Sequence, residues 1–264
     1  MFGKTSPFPY YKDHGRNPQL RRNRETMTAT PDQKVALLFG GGRGMGAASA
    51  RALHKAGWRL ALSSPSESCE KLAAELGAFA VRGSMDSPDD IKRVVAAARE
   101  HCGRIDGLLI HSGGPPKGDL LALSDDDWRR GVDLLLLGFV RAMREVVPVM
   151  REGGGGSVVA ITAYGAAEPS LVFPISSAVR ASVSAMVRLY ATRFGADGIR
   201  VNGVMPGFVD SLDFGDSNPA AGSALGRLGR AEELGETVAF LMSDGAGYIT
   251  GQNILADGGL THGI

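Results

Sequence analysis

Short apolar runs alternate with longer amphipathic stretches along most of the chain. Residues 35–39, 59–63, 79–81, 107–110, 157–161, 199–204 and 253–255 have the length and the aliphatic content of strands buried on both faces. Between them, apolar positions recur with helical period over residues 47–57, about 88–102, about 125–151, about 176–194 and about 232–242. Seven strands alternating with helices predict a Rossmann-type α/β fold, one doubly wound parallel sheet with helices on both faces.

At 264 residues, with no Pro/Ser-rich linker dividing the body, residues 34–264 read as one domain. Residues 1–33 differ: they are polar, basic and Pro-containing, and carry no apolar core of a secretory signal. They are expected to be disordered, or to be an over-extended reading frame with Met27 rather than Met1 as the true start.

Formal net charge is +1 with dispersed Lys and Arg, which leaves no electrostatic footprint for nucleic acid. The leucine run Leu134 to Leu137 with its neighbours lies in a helix interrupted by Arg130, Asp133, Arg141 and Arg144 and is too short and charged to span a bilayer. Cys69 and Cys102 match no CxxC pattern, and the five histidines show no metal spacing. Free thiols in a reducing cytoplasm, and no metal, are the expectation.

The first strand runs into Gly40-Gly41-Gly42-Arg43-Gly44-Met45-Gly46 and then a helix. Glycines let backbone N–H groups approach a pyrophosphate, and the helix N-terminus adds partial positive charge. A tight turn in a chain holding 37 Gly is the plainer alternative, which the strand-loop-helix context outweighs. The second strand ends in Ser63-Ser64-Pro65, with no carboxylate to bind a ribose 2′-hydroxyl. Arg43 could pair a 2′-phosphate, so NADP(H) is expected over NAD(H).

Further motifs follow in order: Asp106-Gly107-Leu108-Leu109-Ile110-His111-Ser112-Gly113, Gly198-Ile199-Arg200-Val201-Asn202, Pro206-Gly207-Phe208-Val209-Asp210-Ser211, and Ile249-Thr250-Gly251-Gln252 through Asp257-Gly258-Gly259. With the glycine loop, they give a chain that resembles the short-chain dehydrogenase/reductases, particularly the branch containing 3-oxoacyl-carrier-protein reductases. The resemblance implies carbonyl or alcohol chemistry with a nicotinamide dinucleotide. It implies cofactor contacts from Gly40, Gly42, Arg43, Gly44, Met45, Gly46, Ser63, Ser64, Ser84, Ser112, Gly113, Arg180, Pro206, Gly207, Val209 and Ser211. It also implies oligomerisation through helices 125–151 and 176–194, with a second copy or with an active paralogue.

Members of that family use an Asn-Ser-Tyr-Lys tetrad. Gapless counting puts Leu135, Ala163, Ser176 and Arg180 at these four positions. An unactivated serine is a far weaker acid than a phenol, and an arginine cannot shuttle protons. Three readings stay open: an NADP(H)-binding subunit without conventional hydride transfer, an oxidoreductase using relocated donors such as Tyr164, His111 and Ser176, or a non-redox enzyme in which Arg180 holds an anionic substrate; beside the dinucleotide, a small anionic or carbonyl ligand is the expected partner. Residues 210–224, rich in Gly, Ser, Asp and Pro, are expected to form a mobile substrate loop.

Overall fold

Alternation along β1 (Val35–Phe39) sends Ala36 and Leu38 into one core and Val35, Leu37 and Phe39 into another, so both faces of the sheet are covered. The computed structural model describes residues 33–212 and 222–262. With β2 (Arg59–Ser63), β3 (Phe79–Ala80), β4 (Gly107–Ile110), β5 (Gly156–Ile161), β6 (Ile199–Pro206) and β7 (Asn253–Ala256), β1 builds a seven-stranded sheet. Every pairing is parallel, in the order β3-β2-β1-β4-β5-β6-β7. The order reverses between β1 and β4, which opens a crevice at the carboxyl ends of those strands.

One face is covered by α1 (Gly44–Lys55), α2 (Ser68–Leu76) and α7 (Ala231–Met242) through Leu53, Leu72, Leu234 and Val238. The other is covered by α3 (Pro88–Cys102), α5 (Gly138–Gly153) and α6 (Pro174–Phe194) through Ile91, Phe139, Met143 and Val187. Among the described residues no helix is long and apolar enough to cross a membrane.

The helix expected over 125–151 departs from the prediction. It is α4 (Asp125–Gly131), a π-turn over Val132–Leu137, and then α5. In an unbroken α-helix Leu135, Phe139, Ala142 and Val146 would share one stripe. The wider turn takes Leu135 out of that stripe and packs it with Ile175 and Val179 of α6, while the other three stay on the sheet core. Leu134 and Leu136 are partly buried there too, which leaves Leu137 as the exposed member of the run. β1, β2, β4 and α3 have the expected bounds, the other expected elements differ by at most three residues at an end, and the nine-residue α2 has no counterpart among the helices read from the sequence. The expectations for residues 1–32 and for 213–221 of the loop lie outside the described residues.

Candidate cofactor and substrate site

The crevice at the strand ends holds a cavity of about 620 Å³. Its floor is shaped by a turn that only glycine permits. Gly40 has φ +72°, and a Cβ on it would stand 1.9 Å from the His111 carbonyl oxygen; a Cβ on Gly46 would stand 2.0 Å from the Gly40 oxygen. The loop therefore lies against both β4 and the start of α1. Helix α1 begins at Gly44 with no acidic residue in its first turn and no side-chain cap from Arg43. Its first N–H groups and the positive end of its dipole are left for an anion. Arg43, Gly44 and Met45 line the cavity.

Of the remaining residues assigned to a cofactor, Ser112, Gly113, Arg180, Pro206, Gly207 and Ser211 share this cavity. Gly40, Gly42, Gly46, Ser63, Ser64, Ser84 and Val209 do not line it. Gly42 faces the start of α2, where a Cβ would meet Ser68 Oγ, the Cys69 amide nitrogen and Ser64 Oγ. Ser64 Oγ donates to the Ser66 carbonyl at 2.9 Å. Ser63 Oγ is buried without a partner, and Val209 is buried beside Gly229. The Ser84 amide donates to Asp90 at 3.0 Å.

Arg180 is the most constrained cation of the site. Only 7% of it is exposed, and it has no ion pair among the described residues. Its Nε donates to Ser176 Oγ at 3.1 Å, Nη1 to the Ile161 carbonyl at 3.0 Å and Nη2 to the Gly113 carbonyl at 3.4 Å. The guanidinium thus ties α6 to the ends of β4 and β5. Burial without a counter-charge pulls its pKa down to about 10, so it stays charged at neutral pH.

His111 also lines the cavity. Burial, and then the nearby Arg180 charge, push its pKa to about 4, and its Nδ1 has no partner. Neutral at pH 7, it is a poor proton donor there. The folded state refuses a proton that the unfolded imidazole accepts below about pH 6.5. Stability should therefore fall as pH drops from 6.5 toward 4, by on the order of 1–3 kcal/mol. Urea unfolding at pH 7 and pH 5 checks this, with His111→Asn expected to flatten the difference.

Ala163, Tyr164 and Ser176 line the same cavity, and the Tyr164 ring lies 5.3 Å from that of Phe208. Leu135 does not line it; it packs behind α6. Sequence reasoning missed Lys117, Phe173 and Phe208, which all line the cavity. The one available signal was that Lys117 and Phe208 follow strand ends, where such folds gather ligand contacts.

A glycine turn at the switch point of a doubly wound sheet, with an uncapped helix N-terminus, defines a dinucleotide-binding class of protein. Residues 40–261 match the family described as enoyl-(acyl carrier protein) reductase. The chain is 31% identical over 241 residues to cis-4-hydroxycyclohexanecarboxylate dehydrogenase of Sinomonas cyclohexanicum, covering 87% of this chain and 97% of the relative. It is 33% identical to the 3-oxoacyl-[acyl-carrier-protein] reductase FabG of Pseudomonas aeruginosa, covering 86% and 97%. A solved short-chain type dehydrogenase/reductase from Mycobacterium ulcerans superimposes with TM-score 0.82 at 27% identity, covering 86% and 89%. The chain belongs to the short-chain dehydrogenase/reductase family, whose members bind a nicotinamide dinucleotide.

Proposed function

We propose that this protein binds NADP(H) and is impaired in conventional carbonyl or alcohol hydride transfer, serving as a divergent or non-catalytic member of its family. When bound, the dinucleotide supplies a hydride donor or acceptor. The residues suited to hold it are the Gly40–Gly46 turn, the first amides of α1, and Ser112, Gly113, Pro206 and Gly207 across the cavity.

The observation that carries the reading is the bond from Arg180 Nε to Ser176 Oγ. Where family counting calls for a phenol and an ammonium, the helix presents a hydroxyl already accepting from a guanidinium. Neither is a proton donor suited to pH 7. Ala163 has no donor to offer, and neutral His111 does not replace one. A second reading, an active oxidoreductase with Tyr164 as a relocated acid, is favoured by the place of that ring in the same cavity. Buried, separate thiols at Cys69 and Cys102 fit a reducing cytoplasm.

Calorimetric titration tests the cofactor. NADPH is expected to bind more tightly than NADH, because Arg43 is positive and Ser63 and Ser64 stand where a carboxylate would repel a 2′-phosphate. Tighter NADH binding overturns the preference; no binding of either overturns the dinucleotide reading.

A further inference from the structure

A buried guanidinium without a counter-charge is expensive, because its lost hydration is replaced only by neutral acceptors. Arg180 is in that position, bonded to one hydroxyl and two carbonyls. Of the five N–H donors of the fork three are used, which leaves one on each terminal nitrogen without a protein acceptor. No Asp or Glu lines the cavity among the described residues, whereas Lys117 does, with its Nζ 5.3 Å from the Phe173 ring centre. Arg43 and the polar Ser112, Thr162 and Ser211 also line it, but most of the wall is apolar and includes Tyr164, Phe173, Phe208 and Leu212.

We propose that the cavity takes a small monocarboxylate with an apolar body as a ligand separate from the dinucleotide, its carboxylate paired with Arg180 and its body against the Tyr164 and Phe208 rings. Lys117, at the rim, adds attraction from outside the pair. The phosphates of a dinucleotide belong to the Gly40–Gly46 turn and α1, so they do not neutralise Arg180. The ligand is an anion of its own. The inference goes beyond the proposed loss of hydride transfer and holds whether or not that chemistry occurs.

Benzoate and its neutral isostere benzamide are the probes, titrated calorimetrically into the full chain, without nucleotide and again with saturating NADPH. Benzoate is expected to bind at least about tenfold more tightly than benzamide in the nucleotide-free protein. Arg180→Gln should abolish the preference. Lys117→Met, a change at an exposed rim residue, should weaken benzoate severalfold and leave benzamide unchanged, and this readout stands even where Arg180→Gln does not fold. Equal affinities, no benzoate binding at about 1 mM, or a preference that survives in folded Arg180→Gln overturns the inference. NADPH titration of the same sample separates this outcome from failure of the dinucleotide reading, because benzoate binding without NADPH binding sustains the carboxylate site alone.

Discussion

Incubated with NADPH and simple ketones or aldehydes, the purified chain should reduce them about 10²–10⁴-fold or more slowly than relatives carrying a complete acid–base set. The cause is local. Transfer of hydride to a carbonyl leaves an alkoxide that needs donors in place, and the cavity offers Ala163 and a Ser176 already serving Arg180. Combining Ala163→Ser, Ser176→Tyr and Arg180→Lys should raise the rate by about 10²-fold or more, since a phenol and an ammonium then stand one helical turn apart facing the cavity. Steady-state loss of NADPH absorbance measures both. Robust turnover by the unmodified chain, abolished by Tyr164→Phe, would sink the impaired reading and establish a relocated acid.

A second large effect is expected on stability. Gly40→Ala places a Cβ 1.9 Å from a backbone oxygen at a φ of +72°, so overpacking and left-handed strain act together. The expected loss is about 3–5 kcal/mol, or roughly 10 °C in melting temperature for a domain of this size. Gly114→Ala, on the cavity wall with nothing within 4 Å of its Cβ, should change stability by no more than about 0.5 kcal/mol. Thermal unfolding followed by circular dichroism compares the pair. Similar melting temperatures for both variants would show that the Gly40 turn yields more easily than its contacts imply.

The strands were legible because burial on both faces demands unbroken apolar runs such as Val35–Phe39. The glycine loop was legible because its spacing follows a strand and precedes a helix. Helix α2 was not: Cys69, Leu72, Ala73 and Leu76 face the core at helical spacing, but its nine residues are shorter than the stretch over which such a period stands out. The pairing of Ser176 with Arg180 follows from a four-residue separation on one helix, so sequence placed those two side chains together. Lys117, Phe173 and Phe208 meet through the order of the strands and the paths of loops, which local periodicity does not encode. Leu135 shows the limit of counting, which found its position in the chain but not its place behind α6.

That place depends on the π-turn, and the turn fixes the length of the segment. One residue of an α-helix corresponds to about 100° of rotation. Removing one residue from Val132–Leu137 would restore a regular helix and swing either Leu135 off Ile175 and Val179 or Phe139 and Met143 off the sheet. Gly138, whose Cβ would meet the Met85 carbonyl at 2.6 Å, would carry the same rotation into the β3–α3 loop. Side chains along this stretch can therefore be exchanged for others of like size, whereas a single-codon deletion should be among the least tolerated changes in the gene.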